Sequence, residues 1–342
     1  MRRRVAFILI LALSITVFFG CDKSENTVGK DLSEKKDIEQ SSEIPEKEIT
    51  IVMGGPKAPP TFPLLRMMET NALGENVKID FKVWNSVEEL LATATGSEYG
   101  FLAIPVNVSA KLYNKGVDIK LTNVNTWGVM YLSTSDPECN EWEDLKGKKL
   151  YVPFKSAPPD IVTQHFLKQY GLKVGEDIEI AYSTPAEIAQ LMKAGEIEYA
   201  MNIEPFITAS KMGNENVRVI FDYMKEWKKL EGEEYDIPNA GIATNSKFLK
   251  DNKELVALFE KEYEKALAWT LENPKEASEL VEKHLGLKGA LIQKSMPTLG
   301  LNYKLANDAK KDLEKYYETL LNFKADSIGG KTPDENYYYK EK

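Results

Sequence analysis

Apolar residues occur in short runs from residue 49 onward, and these runs alternate with segments of helical periodicity. Runs of this kind predict strands, and apolar positions spaced three or four apart predict helices. The strands are expected at 49–53, 77–84, 99–104, 119–123, 129–133, 149–152, 178–182, 199–203, 217–221 and 240–244. Such alternation is typical of βαβ units, so the fold class predicted is α/β with mainly parallel sheets.

Helices are expected between most of these strands and dominate the chain after residue 237. One helix has clear end signals, because Thr184 and Pro185 precede it and Gly195 follows it. The other helices are expected at 63–71, 87–95, 106–114, 161–170, 253–272, 274–284 and 306–323.

The first 47 residues are expected to lie outside the fold. Residues 1–20 carry three arginines followed by an apolar run, which is the layout of a secretory signal. The Gly20-Cys21 pair at its end resembles the lipobox of bacterial lipoproteins. This resemblance implies that Cys21 carries a lipid such as palmitate. The alternative is an ordinary signal peptide that is cleaved off. Residues 21–47 are highly charged and lack aromatic residues, so we expect a disordered tether.

Composition narrows the class of protein further. The length of 342 residues fits about two domains, and 53 acidic against 44 basic residues give a net charge of −9. Loss of a signal with three arginines and no acid changes this to −12. An acidic chain of this kind is not expected to bind nucleic acid. The two cysteines exclude a disulfide scaffold.

The sequence lacks the usual catalytic and cofactor signatures. It contains no G-x-S-x-G, H-E-x-x-H or C-x-x-C motif, and Gly330-Lys331-Thr332 imitates a P-loop end while Ala325 replaces the first glycine. His165 and His284 are 119 positions apart, so each is expected to be an ordinary helix residue. We therefore expect no enzyme activity, no cofactor and no metal.

Candidate ligand residues cluster where predicted strands end. In open α/β sheets, ligands bind beyond the carboxyl ends of the strands, and aromatic rings with a few polar groups line most small-molecule pockets. Ser86 or Asn85 is also expected to cap the helix that follows. The candidates are Gly55, Pro59, Thr61, Phe62, Trp84, Asn85, Ser86, Asn125, Trp127, Phe154, Ser156, Glu204 and Phe206.

Two segments carry a family resemblance. Residues 143–152 read EDLKGKKLYV, and residues 189–200 read AQLMKAGEIEYA before Glu204-Pro205. They resemble the D-L-K-G-K-x-[VI]-x-V and L-x-x-G-x-[IV]-D-A-x-x-x-x-E-P segments of solute-binding proteins of bacterial ABC importers. The subgroup is the one that binds nitrate, taurine, alkanesulfonates and the pyrimidine precursor of thiamine.

The resemblance implies a type II periplasmic-binding-protein fold with a ligand cleft between two lobes. Lobe one would comprise 48–126 plus 238–342, and lobe two 127–237. The resemblance also implies that the two lobes close on a solute by a hinge motion. The partners implied are a membrane permease and its ATPase, and the protein itself would be an extracytoplasmic, lipid-anchored monomer.

The resemblance leaves the solute open. Glu204 matches the family motif best and is the strongest candidate for a polar contact. The family often has a Gly-Ser anion cradle after the strand that ends at Val152, whereas Phe154-Lys155-Ser156 stands here. We therefore expect a flat heteroaromatic solute. The alternative ligand is an alkanesulfonate or taurine. The alternative function is that of a pyrimidine-synthase-like enzyme.

Overall fold

A computed structural model describes residues 48–96 and 99–341 of the chain. The expected signal, Cys21 and the tether lie outside the described residues. No helix in these two ranges has both the length and the apolar character needed to cross a membrane.

The described residues form two mixed sheets flanked by helices, in agreement with the α/β fold class. The strands are β1 Ile49–Pro56, β2 Val77–Trp84, β3 Tyr99–Pro105, β4 Ile119–Trp127, β5 Met130–Thr134, β6 Lys149–Pro153, β7 Glu179–Ser183, β8 Tyr199–Ile203, β9 Arg218–Asp222, β10 Pro238–Asn245 and β11 Leu301–Leu305. The helices are α1 Phe62–Glu69, α2 Val87–Thr95, α3 Val106–Asn114, α4 Pro158–Gln169, α5 Pro185–Ala194, α6 Phe206–Gly213, α7 Tyr223–Glu231, α8 Ser246–Asp251, α9 Lys253–Glu272, α10 Pro274–Leu285, α11 Gly289–Ser295 and α12 Lys310–Lys324.

The first sheet has the strand order β11-β4-β10-β3-β1-β2. Strands β1, β2 and β3 pair in parallel, whereas β10 is antiparallel to β3 and β4, and β11 is antiparallel to β4. Four of the six strands therefore run in one direction. The central strand β3 is buried along most of its length, while the edge strand β2 is fully buried only at its two ends, Val77 and Trp84.

The second sheet has the order β7-β6-β8-β5-β9. Strand β6 pairs in parallel with β7 and β8, and β5 pairs antiparallel with β8 and β9. Four of these five strands also share one direction. The chain passes from the first sheet to the second between β4 and β5, and returns between α7 and β10.

The largest hydrophobic cluster includes residues from both sheets. Leu121 of β4, Leu150 of β6 and Tyr316 of α12 all belong to it and are fully buried. A second cluster lies between the first sheet and helices α1, α9 and α10. Helix α12 therefore packs against elements on both sides of the crossing segments.

Several expectations about single elements were wrong or incomplete. Strands β1 and β4 extend three and four residues beyond the predicted ends, to Pro56 and Trp127. Helix α12 begins at Lys310 rather than at residue 306. Helices α6, α7, α8 and α11 and strand β11 were not predicted, because each is short, with at most nine residues.

Candidate functional site

The strand ends of both sheets meet at the crossing between β4 and β5. In the first sheet, Trp127 pairs with Pro238 at the start of β10. In the second sheet, Met130 at the start of β5 pairs with Ile203 at the end of β8. Only Gly128 and Val129 separate the two strands, so the carboxyl edges of the parallel strands lie on either side of a short crossing.

The candidate residues after β1 serve mainly to hold their own loop. The Thr61 hydroxyl donates a hydrogen bond of 2.6 Å to the Pro56 carbonyl and is fully buried. A Cβ at Gly55 would collide with the Thr61 side chain, which explains glycine there. Phe62 packs in the core beside the first sheet, and Pro59 begins a buried 3₁₀ turn.

The candidates after β2 form a helix cap. Ser86 Oγ accepts a hydrogen bond of 3.2 Å from the Glu89 amide, and Glu89 Oε2 accepts one of 2.8 Å from the Asn85 amide. These two bonds satisfy free amide donors at the start of α2, as expected for this cap. Trp84 is 5% exposed and packs in a hydrophobic cluster.

Asn125 belongs to a buried polar network at the end of β4. Its Nδ2 donates to Asn123 Oδ1 at 2.9 Å, and its Oδ1 accepts from the Thr126 hydroxyl at 2.9 Å. Asn123 Nδ2 in turn donates to Glu260 Oε2 at 2.8 Å. The amide of Asn125 is thus held by the protein itself and is completely buried.

Trp127 is fixed from two sides. Its indole N–H donates a bond of 2.7 Å to the Asn302 carbonyl, and the Lys304 ammonium lies 4.3 Å from the centre of its ring. Only 6% of the residue is exposed. In this arrangement one face of the ring is occupied by a cation.

The loop after β6 has an unusual backbone. Phe154 and Ser156 have φ angles of +56° and +64°, in the left-handed region that side chains other than glycine rarely occupy. The Ser156 amide donates to Asp160 at 2.6 Å, and its hydroxyl accepts from Lys324 at 2.9 Å. Phe154 is 42% exposed, so its ring is available to a partner. Backbone strain of this kind is often found at binding sites.

Glu204 is the candidate that connects the two sides. Its Oε1 accepts bonds from the Thr208 hydroxyl at 3.0 Å and from the Thr298 hydroxyl at 2.8 Å, and its Oε2 accepts the Thr208 amide at 3.2 Å. Thr208 belongs to α6 beside the second sheet, whereas Thr298 precedes β11 of the first sheet. Burial raises the pKa of Glu204, and these hydrogen bonds oppose the rise in part. Phe206 begins α6 and is half-buried.

No sequence pattern singled out three further residues, Tyr131, Asn239 and Thr298. Thr298 lies in a 3₁₀ turn between α11 and β11, a segment without a predicted element. The Tyr131 hydroxyl contacts the Thr298 carbonyl at 3.5 Å. The buried Asn239 Oδ1, at the start of β10, has no hydrogen-bond partner in the described part of the chain. These three residues become visible as neighbours of the strand ends only in the folded structure, because they lie far apart in the sequence.

Two grooves along α12 contain none of the predicted ligand residues. One, of about 250 Å³, is lined by residues of α4, α7 and α12 that include His165 and Glu231, and the other, of about 440 Å³, includes Tyr235. His165 Nε2 lies 2.9 Å from Glu231 Oε1, and burial lowers the pKa of the histidine. Both grooves have mixed charge and lie away from the strand ends, so we place the candidate site at the strand ends.

No group of three or more His, Cys, Asp or Glu side chains within 48–96 and 99–341 is arranged to hold a metal ion. Cys139 is buried there as a free thiol, and burial raises its pKa to about 11. A thiol with such a pKa is a poor nucleophile and a poor metal ligand at neutral pH.

Comparison with known families finds a match over the middle of the chain. Residues 113–277 match the family model described as NMT1/THI5 like. The match extends from the end of α3 to the start of α10. It contains all of β5 to β9 and the candidates from Asn125 to Phe206.

The proteins similar to this chain include a bacterial sequence and several solved structures. YtlA of Bacillus subtilis (strain 168), whose name describes it as a candidate binding protein, is 26% identical over 145 residues. That match covers 42% of this chain and 41% of YtlA, so the match spans about two fifths of the curated relative.

Two crystal structures cover almost all of the described fold. An ABC transporter protein from Parabacteroides distasonis has a TM-score of 0.73 at 23% identity, covering 86% of this chain and 99% of its own. The periplasmic aliphatic sulphonate binding protein SsuA from Escherichia coli has a TM-score of 0.71 at 17% identity, covering 85% and 92%. This chain therefore has the fold of these periplasmic binding proteins, as its sequence predicted.

Proposed function

We propose that this protein is the extracytoplasmic solute-binding component of an ABC importer. It captures a small organic solute between two lobes and delivers it to a membrane permease driven by an ATPase. The observation that carries this proposal is the hydrogen bond from Thr298 to Glu204, which joins the carboxyl edges of the two sheets. The names of the similar binding proteins support the same function.

The proposal includes the lobes and the membrane anchor expected from the sequence. Lobe one consists of 48–126 plus 238–342 and lobe two of 127–237, with the candidate residues at the strand ends as the ligand site. A lipid on Cys21 and the tether of residues 21–47 hold a monomeric protein at the outer face of the cell membrane. The protein acts as a carrier rather than as an enzyme.

The charged groups near the site favour a neutral or cationic heterocycle. Both arginines in the described residues are engaged elsewhere, because Arg66 lies 4.1 Å from the ring centre of Trp269 and Arg218 donates to the Asp136 carbonyl at 2.9 Å. An anionic sulfonate would thus lack a guanidinium clamp and would lie near the buried carboxyl of Glu204. Ring N–H groups of a pyrimidine-like solute suit that carboxyl as hydrogen-bond donors.

The aromatic candidates differ in the ring surface that they offer. Trp84 and Trp127 are both less than 7% exposed, whereas Phe154 is 42% exposed and Phe206 is half-buried. We infer that stacking on the solute comes chiefly from the two phenylalanines. SsuA-type neighbours are named as sulphonate-binding, so an alkanesulfonate is the alternative ligand.

Ligand capture tests this function. We expect native mass spectrometry of protein purified from its host to show a bound small organic molecule. In thermal-shift assays, thiamine-precursor pyrimidines should raise Tm, while taurine and alkanesulfonates should not. The Glu204→Gln variant should bind the pyrimidine at least about tenfold more weakly, because the carboxyl group of Glu204 is lost as a strong hydrogen-bond acceptor. Glu226→Gln, a buried carboxylate outside the site, serves as the control.

Different outcomes contradict different parts of the proposal. Stabilisation by sulfonates alone would refute the heterocycle and keep the transport function. Failure of any solute to bind, together with turnover of a candidate substrate, would refute the carrier and favour an enzyme on the same scaffold.

A further inference from the structure

Two short segments connect the sheets and must absorb any change in the angle between them. The first comprises residues 127–130 and the second residues 232–238. They lie side by side, since the Gly128 amide donates a bond of 3.1 Å to the Ile237 carbonyl. Hinge motions in proteins are absorbed by a few residues in segments of this kind.

Lys304 contacts both connecting segments from β11 of the first sheet. Its ammonium lies 4.3 Å from the ring centre of Trp127 in the first segment and 3.7 Å from Asp236 Oδ2 in the second. It also lies 3.2 Å from Asp312 Oδ2 on α12. One side chain therefore joins both connections and the helix that packs beside them.

The partners of Lys304 are themselves fixed. The Trp127 indole donates to the Asn302 carbonyl at 2.7 Å. The Asp236 amide donates to Asp312 Oδ1 at 2.9 Å, and Asp236 Oδ1 pairs with Lys228 of α7 at 2.9 Å. The Lys304 side chain is 31% exposed and that of Asp312 only 9%, so solvent screens these charges less than on an open surface.

We propose that Lys304 is a positioning residue that holds the two connecting segments together and keeps the cleft in the arrangement where Glu204 meets Thr298. The inference rests on the proposed function, because it concerns regulation of the same cleft. Lys304 contacts none of the candidate ligand residues except Trp127. Loss of its charge frees the Trp127 ring and the Asp236 carboxylate together, and the connecting segments then bend more readily.

Hydrogen exchange of the full chain without any solute tests this role. In Lys304→Gln, we expect amides of residues 127–130, 236–237 and 298–300 to exchange about three- to tenfold faster, the range given by one cation–π contact and two partly exposed ion pairs. Lys304→Arg keeps both interactions and should exchange like the parent protein. Asp236→Asn removes the negative charge that pairs with Lys304 on the second segment and should accelerate the same amides.

Lys149→Gln is a matched control, because Lys149 also pairs with a carboxylate, Glu179 at 2.7 Å, and lies 5.9 Å from the ring of Tyr151. It lies on the second sheet and should leave the connecting segments unchanged. Unchanged exchange in Lys304→Gln would overturn the proposal. If amide exchange in Lys304→Gln were accelerated equally in the connecting segments and in strand β6, the proposal would also be overturned, because that pattern indicates general destabilisation of the protein. The measurement needs no solute, so its failure is distinct from a failure of solute binding.

Discussion

Buried carboxyl groups show how the environment of one residue changes its chemistry. Glu260 Oε2 accepts hydrogen bonds from Asn123 at 2.8 Å and from the Tyr303 hydroxyl at 2.9 Å, while its buried Oε1 has no hydrogen-bond partner among the residues described. Burial, opposed in part by these hydrogen bonds, raises the pKa of Glu260 to about 7. Glu226 is equally buried, but hydrogen bonds from Lys229, Tyr170 and Trp142 outweigh burial and lower its pKa.

These two pKa changes predict opposite pH dependences of stability. The folded protein keeps a proton on Glu260 that the unfolded chain releases, so the associated stability is full below about pH 4.5 and is lost as pH rises to about 7. Glu260→Gln should therefore gain stability relative to the parent as pH rises from 5 to 8, by up to about 3 kcal/mol. Denaturant unfolding of both proteins at several pH values measures this.

The Glu226→Gln variant provides the comparison of opposite sign. The stability due to the lowered pKa of Glu226 is present above its unfolded pKa and is lost as pH falls. This variant should be less stable than the parent at pH 7, with a smaller difference at pH 4. A pH-independent difference in unfolding free energy for Glu260→Gln would contradict the assignment of the raised pKa.

At the scale of elements, local signals predicted the ends of α5 correctly. Thr184 accepts a hydrogen bond from the Glu187 amide at 3.2 Å, Pro185 occupies the first turn, and Gly195 ends the helix with φ of +73°. By contrast, five of the nine residues of α7 are Lys or Glu, and its buried aromatic residues are Tyr223 and Trp227. Its helical structure depends on packing against the core, so the sequence pattern did not reveal it.

The cap of α5 gives a prediction for this element. Thr184→Ala should lower the free energy of unfolding by about 1 kcal/mol, because the Glu187 amide loses its acceptor. Thr184→Ser keeps the hydroxyl and should lose only a small part of that stability. Denaturant unfolding compares the two, and equal losses would assign the effect to the methyl group rather than to the cap.

At the scale of the whole molecule, one hydrophobic cluster joins the two sheets. Leu121 and Leu150 belong to different sheets, and Leu313, Tyr316 and Leu320 of α12 pack into the same cluster. A shared core of this kind couples the two halves energetically. We expect the described residues to unfold in a single cooperative transition.

Truncation of Leu320 tests this coupling. Leu320 is 1% exposed, so Leu320→Ala should lower the free energy of unfolding by about 2 to 5 kcal/mol and shift one calorimetric transition as a whole. Met212→Ala, at a residue 48% exposed, should change stability by less than about 0.5 kcal/mol. Separation of the transition into two in Leu320→Ala would show that the halves unfold independently.

The sequence by itself determined the fold class, most strands and the helices with strong end signals, because these depend on hydrophobic period and on local hydrogen bonds. Two motifs also led to the periplasmic-binding-protein fold. Tertiary structure alone decided the order of the strands, the antiparallel pairing of β10 and β11, and the partners of Glu204 and Lys304. The bond from Thr298 to Glu204 and the ion pair between Lys304 and Asp236 join residues more than 60 positions apart, and no local pattern encodes such contacts. The candidate site therefore remains a prediction residue by residue, while the fold that positions it is established.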